Sequence, residues 1–511
     1  MLYIIFYLFL FILFIILIYT TNNFNNIKNI NKFIFNKNDN RYNALLTGFN
    51  RRWILNPSNI ILCQINNDII NALKLSINSN KRITVGSGFH CYENFIVNNN
   101  GIILDLSMMD KIIKKDNYTI IEPGALNLKI QAVLIKKWNT ILPGGSCYSV
   151  AAGGHICGGG YGLLSRKFGL TVDWLEGIEV IIVDKNKKIK TVQAFKDSEK
   201  QNLRDLWWGH TGGGGGNFGI ITKYFFKELP SAPKNVYVCN INISWDYLTY
   251  QKFYDILYNF GKFCELDEKE NKYLSLFSLL KLYHISAKEI KCVIQSEFIN
   301  DIIYFLNIVF NIKINITLDN LNNLDNYQNI IDNTSINIIK FPLLTAIVNL
   351  NGSGDSQRFK MKSSYMKKTF PESQIKTLYN WLSGKNVPTY NNSNSLVQID
   401  TYGGMINKKS SIDTAVSARD SIMKLQYQVY WTSKEDDDKN LKWIRELYID
   451  MYGINGPVPD DIMDGCYVNY PDNDLINYEH LYYKDNYSKL QKIKKIWDPN
   501  NFFNHQQSIR I

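Results

Sequence analysis

The hydrophobic positions of this chain change period several times, and each change marks an element. A short apolar run at 60–64 is followed over 67–77 by Ile69, Ala72, Leu73 and Ile77 at helical spacing. Residues 83–86 read as a strand entering a glycine-containing turn, and 102–106 and 118–121 as further strands. Leu128, Ala132 and Ile135 predict a helix after Gly124. The runs 179–183 and 189–192 flank Asp184-Lys185-Asn186 and read as a hairpin. A glycine cluster at 212–219 leads into the apolar run 220–226. This mixture predicts one α+β unit over about 45–230. A composition shift at 230–234 marks a boundary. Beyond it, strands are expected at 236–243 and 396–401, a helical stretch at 413–425, and Asn-rich loops around 311–337. A helix-like run at 487–496 is stopped by the turn Asp498-Pro499-Asn500.

Residues 1–19 are almost wholly apolar, and the first charged side chain is Lys28. A run of roughly 18 or more apolar residues reads as a membrane-spanning helix. The basic start and small-residue cleavage site of a signal peptide are not evident. The expectation is an uncleaved, single-pass signal-anchor that places the protein in a membrane. A cleaved signal peptide and a secreted protein are the alternative. Residues 20–44, polar and Asn-rich, are expected to be a tether.

Composition narrows the partners. The 511 residues are 45% hydrophobic and 20% charged, the range of a globular protein. The net charge of +11 comes from Lys scattered through Asn/Ile-rich stretches. That is not the concentrated stripe of a nucleic-acid binder. Eight cysteines include no CxxC and no Cys/His cluster with zinc spacing, so no metal site is expected. The abundance of Asn removes weight from sequons such as those at Asn117 and Asn351.

Two glycine clusters carry the chemistry. The first runs Gly144-Gly145-Ser146-Cys147-Tyr148-Ser149-Val150-Ala151-Ala152-Gly153-Gly154-His155-Ile156-Cys157-Gly158-Gly159-Gly160-Tyr161-Gly162, punctuated by apolar and aromatic residues as no linker is. The second, Asp205 to Gly219, contains five consecutive glycines and Asn217. Glycine at this density permits positive φ and close approach of backbone to a ligand. Successive N–H groups can form an anion-binding nest, so a phosphate-bearing cofactor is the natural occupant. No Gly-Lys-[Ser/Thr] follows, which argues against a P-loop. No early strand–GxGxxG–helix unit supports a dinucleotide fold.

The first cluster continues as Leu163-Leu164-Ser165-Arg166-Lys167-Phe168-Gly169-Leu170-Thr171-Val172-Asp173. Together with the second cluster and the tail Asp498-Pro499-Asn500-Asn501-Phe502-Phe503 with Gln507-Ser508-Ile509, it resembles the berberine-bridge-enzyme-like family of FAD-linked oxidases, within the vanillyl-alcohol-oxidase-type fold. The resemblance covers about residues 45–511. It implies an α+β protein with a bipartite FAD-binding domain, 45–230 and 462–511, around a substrate domain, 231–461, that has a large antiparallel sheet and helices. It also implies FAD attached through two bonds, to His90 and Cys147. The family segment Arg-Ser-Gly-Gly-His is matched by Gly86-Ser87-Gly88-Phe89-His90. Gly86 replaces the Arg and Phe89 replaces a Gly, so a reshaped loop is expected where backbone should approach the pyrophosphate. Ser87, Gly88, Gly153, Gly154, Gly158, Gly159, Asn217 and Gly219 are implied to contact the cofactor, and His155 to line its pocket.

The implied reaction sends one substrate proton to a base and a hydride to flavin N5, after which oxygen is reduced to hydrogen peroxide. The segment Gly465-Cys466-Tyr467-Val468-Asn469-Tyr470-Pro471-Asp472 resembles the family's Tyr-x-Asn-Tyr, making Tyr470 the implied base. A free tyrosine titrates near 10, so its deprotonation at pH 7 costs roughly 4 kcal/mol and needs help. On a strand, Gln398 and Asp400 share a face, and Tyr402-Gly403-Gly404 follows as in the family. An ionised Asp would raise a neighbouring Tyr. The pair therefore reads as a relay in which Tyr470 takes the substrate's proton while passing its own to Asp400. Gln398 and Tyr161 are expected to line the substrate pocket, and Gln426 and Gln428, on one strand face, to bind hydroxyls. Val150 stands where the family places the residue guarding oxygen's approach, and Ala151, where glycine is usual, adds a methyl nearby. The expected substrate is an alcohol, foremost a sugar's anomeric hydroxyl. A phenolic or alkaloid substrate is the rival. A non-catalytic, membrane-anchored flavoprotein is the other, against which intact Tyr470 and Asp400 argue.

Overall fold

Three β-sheets organise the chain in this computed structural model, which describes residues 33–46, 48–314, 326–331, 334–352 and 354–511. The apolar segment 1–19 lies outside the described residues. Among the described residues, no helix is long and apolar enough to cross a membrane.

The first sheet contains β1 (Ile34–Phe35), β2 (Asn59–Leu62), β3 (Ile83–Gly86) and β4 (Ile102–Asp105), in the order β1-β2-β4-β3. β2 and β3 both run parallel to β4, which requires a crossover. The helix Asn66–Ser79 supplies it, burying Ile69, Ala72 and Leu73 from its apolar stripe. β1 pairs antiparallel with β2, and Phe35 and Tyr42 pack on Ile60. The expected tether 20–44 is thus folded from Ile34 onward, because these two aromatic rings gain burial there.

The second sheet contains β5 (Ile112–Lys115), β6 (Tyr118–Ile121), β7 (Leu175–Val183), β8 (Ile189–Phe195) and β9 (Ile220–Phe226), in the antiparallel order β5-β6-β9-β7-β8. β5 escaped the pattern because only Asp116 and Asn117 separate it from β6. Both have positive φ, the two-residue turn that suits a hairpin.

The third sheet has eight antiparallel strands. They are β10 (Asn235–Ser244), β11 (Phe277–Tyr283), β12 (Glu289–Ser296), β13 (Asn326–Ile331), β14 (Thr334–Pro342), β15 (Arg358–Met366), β16 (Ser395–Thr401) and β17 (Met423–Trp431), in the order β13-β14-β10-β12-β11-β16-β17-β15. Helices Ile299–Phe310 and Asp437–Tyr452 pack on it, and Tyr250–Glu270 and Glu372–Leu382 pack against those helices. β13 and β14 arise within the stretch expected as Asn-rich loops, and β14 is paired along β10.

The helix expected at 413–425 does not form. Ser417 Oγ donates to Tyr482 O, Ser421 Oγ donates to Asp464, and Arg419 pairs with Asp173 at 2.7 Å. These side chains bond to other segments, holding an irregular strap that leads into β17. Residues 464–509 return to the first two sheets. Lys494 Nζ donates to Asn217 O and Phe503 O, each at 2.6 Å, and Ile509 N donates to Asn217 Oδ1 at 2.9 Å.

Candidate active site

A cavity of about 700 Å³ runs from the glycine loops to the open face of the third sheet. At the glycine end, β3 delivers the turn 86–90. Phe89 takes φ +56°, the left-handed region that favours glycine. Its ring lies over Gly86, where a Cβ would stand 2.4 Å from Phe89 Cε1. The two departures from the family segment are therefore one packing unit: the missing Arg side chain makes room for the added ring. Phe89 O accepts from Phe49 N at 3.0 Å, and the Phe49 ring stacks on His90 at 3.9 Å. His90 Nε2 is hydrogen-bonded to Ser149 Oγ at 2.9 Å, leaving Nδ1 as the other ring nitrogen. Burial lowers the His90 pKa to about 4, so the ring is neutral at pH 7.

The turn 86–90 interlocks with the first glycine cluster. A Cβ on Gly88 would stand 2.8 Å from Ala151 N, and one on Gly153 would stand 2.8 Å from Ser87 Oγ. Cys147 lines the cavity, its carbonyl held by Asn127 Nδ2 at 3.2 Å. Val150 lines it too. His155 Nε2 accepts from Gly145 N at 2.9 Å, and burial lowers its pKa to about 4. Gly158 and Gly159, expected to contact the cofactor, do not line the cavity. Gly158 accommodates the Asn469 amide, and Gly159, at φ +117°, abuts Val416. In the second cluster, Asn217 Nδ2 ties back to Gly213 O at 2.9 Å, and Gly219 packs on Ile181 O. Gly154 and Gly215 front the cavity with nothing within 4 Å of a built Cβ. His505 Nδ1, in the same wall, is buried without a partner among the described residues. An open cradle of backbone with an orphan polar atom beside it fits FAD.

At the other end, strand alternation aims Gln398 and Asp400 of β16 and Lys424, Gln426 and Gln428 of β17 into the cavity. Gln398 Nε2 donates to Asp400 Oδ1 at 2.8 Å, and Gln428 Nε2 donates to Gln426 Oε1 at 3.1 Å. Tyr430 OH donates to Gln428 Oε1 at 3.0 Å. Tyr161 OH donates to Thr401 O at 2.5 Å. Tyr470 stacks on Tyr92 at 5.4 Å. Burial first, and Asp400 second, push the Tyr470 pKa well above its usual value.

The expected direct passage of a proton from Tyr470 to Asp400 needs correction. Lys424 stands between them, its Nζ donating to Tyr470 OH at 3.1 Å and pairing with Asp400 Oδ2 at 2.7 Å. The ammonium also faces the Tyr161 and Tyr470 rings at 4.6 and 4.5 Å. Sequence reasoning missed Lys424. It lies two residues before Gln426 on the same strand face, but inside the stretch expected to be helical.

Behind Tyr470 lies a buried ionic network. Lys360 Nζ meets Glu93 Oε1 at 2.5 Å and Asp472 Oδ1 at 2.6 Å, and Lys362 Nζ meets Asp472 Oδ2 at 2.7 Å. Asp474 joins Lys362 to Arg445 at 2.9 Å each. Burial opposes the charge on Lys360, but Asp472 and Glu93 outweigh it and raise its pKa. The network joins the His90 loop, β15 and the segment carrying Tyr470.

Residues 57–188 match the family profile described as "FAD binding domain", and residues 466–510 the profile "Berberine and berberine like". The hexose oxidase of Chondrus crispus is 35% identical over 93% of this chain and 94% of its own. The aclacinomycin-N/aclacinomycin-A oxidase of Streptomyces galilaeus is 32% identical over 92% of this chain and 88% of its own. Among solved structures, the glycopeptide hexose oxidase DBV29, complexed with teicoplanin, has a TM-score of 0.84 at 30% identity. That match covers 94% of this chain and 98% of that one.

Proposed function

This chain belongs to the berberine-bridge-enzyme-like family of FAD-linked oxidases, and we propose that its substrate is a carbohydrate, oxidised at the anomeric hydroxyl. The reading is supported by the row Gln398, Gln426 and Gln428, whose amides can donate to and accept from several hydroxyls at once. It is supported further by the hexose oxidases among the relatives.

FAD, when bound, would supply the hydride acceptor and the route for electrons to oxygen, with hydrogen peroxide as the product. His90, with Nε2 held by Ser149, would attach it through Nδ1, and Cys147 would attach it through Sγ. The chain's own part is to move the proton. The Lys424 ammonium gives a proton to Asp400, and the amine so formed takes the phenol's proton as Tyr470 O receives the substrate's hydroxyl proton. Asp400 ends protonated, and Lys424 and Tyr470 regain their starting forms. The observation that carries this relay is Lys424 Nζ within hydrogen-bonding reach of both partners. Tyr470→Phe tests it. With a sugar that reduces the wild-type flavin, reduction should slow at least ~100-fold, the lower end of general-base contributions, with FAD content unchanged. A near-wild-type rate removes Tyr470 from the mechanism. Residues 1–19 complete the proposal as a membrane anchor. Full-length protein should stay in the membrane pellet after carbonate washing, whereas a soluble product starting near residue 20–25 would mean a cleaved signal peptide.

A further inference from the structure

The substrate wall holds a second cation that the proton relay does not use. Alternation along β11 turns Phe277, Leu279, Lys281 and Tyr283 to the cavity. Across the ladder Lys281 faces Gln398 of β16, next but one to Asp400. On its other side it faces Lys291 of β12, whose ammonium is paired with Glu289 at 2.7 Å. Lys424 and Asp400 satisfy each other at 2.7 Å. Asp355, the other lining carboxylate, is exposed on a loop and forms no ion pair among the described residues. The Lys281 ammonium forms neither hydrogen bond nor ion pair with any described residue, and so Lys281 brings a charge without a bonded counter-ion to the cavity wall. Burial lowers the pKa of its ammonium, Asp400 opposes that shift and Lys291 adds to it.

An unpartnered ammonium in a cavity wall is satisfied best by an anion, through a charge-assisted hydrogen bond, and a neutral ligand leaves its charge uncompensated. The glutamines already provide for hydroxyls. We propose that Lys281 selects a hexose bearing an anionic group, a carboxylate or phosphate on carbon 6, on the same ring as the hydroxyl that is oxidised. This rests on the sugar-oxidase reading above and adds a charge requirement to it. Specificity arises from both directions: the anion gains a partner, and the neutral sugar fails to supply one.

The test is equilibrium binding to the FAD-loaded protein, read as a change in the visible flavin spectrum. Methyl glucuronide, methyl glucoside 6-phosphate and methyl glucoside are the probes, because their blocked anomeric carbon prevents turnover. The wild type should bind one of the anionic glycosides about 10–100-fold more tightly than the neutral one, the scale of a charge-assisted hydrogen bond. The better of the two identifies the anion. Lys281→Met should abolish that ratio and Lys281→Arg should keep most of it, each with a normal flavin spectrum as the check on folding. Equal wild-type affinities, no binding of any probe, or a ratio that survives Lys281→Met overturns the proposal. Turnover of the free sugars is measured in parallel. If none is oxidised while the Lys281-dependent ratio persists, the sugar-oxidation reading fails and the anion site stands.

Discussion

Lys424→Met is the sharpest probe of the active site, because it removes one charge while keeping most of the side-chain stem. In the native protein that charge is shared by Tyr470 at 3.1 Å and Asp400 at 2.7 Å. Asp400 is 2% exposed and keeps only the Gln398 amide as a partner when the ammonium goes. Two effects follow. Tyr470 O loses a charge-assisted donor, worth about 1.5–3 kcal/mol. At about 1.4 kcal/mol per decade, flavin reduction should slow about 10–150-fold. Asp400, its ion pair gone, is cut off from Tyr470 and ceases to be the relay's terminus. The sign of the pH effect is fixed as well. Burial and Asp400 already raise the Tyr470 pKa, and loss of a neighbouring cation disfavours the phenolate further. The rising limb of the pH–rate profile should therefore move to higher pH. The assay is anaerobic stopped-flow bleaching of the flavin band by a sugar substrate, with FAD content as the check on folding. A variant that reduces its flavin within threefold of the wild-type rate, on an unshifted pH profile, would refute the relay.

Gly86→Ala should sharply lower FAD-loaded yield, since the new methyl would meet the Phe89 ring at 2.4 Å. Adding Phe89→Gly should restore it, and failure of that rescue would disprove the paired packing. The flavin should stay with the polypeptide after acid denaturation, through one link in His90→Ala or Cys147→Ala and through none in the double variant; complete release from the wild type would remove the covalent assignment. Val150→Leu should slow reoxidation of the reduced protein in aerated buffer while sparing flavin reduction, and sluggish reoxidation of the wild type itself would indicate another electron acceptor. Lys360→Met should destabilise by about 3–5 kcal/mol, the cost of leaving the buried Glu93 carboxylate without its counter-ion while Asp472 keeps Lys362; an unchanged melting temperature would show the network to be dispensable.

Where chemistry repeats on a short period, the sequence was readable. The alternation around 396–401 put Gln398 and Asp400 on one face, and the structure gives both to the cavity. The same period extends from Gln428 back to Lys424, but the stretch 413–425 reads as helical. Its Ser417, Ser421 and Arg419 side chains bond to Tyr482, Asp464 and Asp173, partners no local pattern reveals. The network behind Tyr470 was invisible for the same reason, since Glu93 and Lys360 lie 267 positions apart. Gly86 and Phe89 each depart from the family motif, yet only their mutual contact shows that one compensates for the other. Gly158 and Gly159 carry the family's glycine pattern yet lie against Asn469 and Val416 rather than in the cavity wall, a distinction that glycine content cannot express.

The clasp on Asn217 also orders events during synthesis. Its carbonyl and side-chain oxygens are bound by Lys494 and Ile509, 277 and 292 positions downstream. On the ribosome, the second glycine loop is translated long before those partners exist, and contacts of such separation close late. A nascent chain can therefore build its first two sheets and still lack a settled cradle for the cofactor. Flavin capture becomes an event of chain completion, and a stalled or prematurely terminated polypeptide would leave the ribosome without its oxidising group.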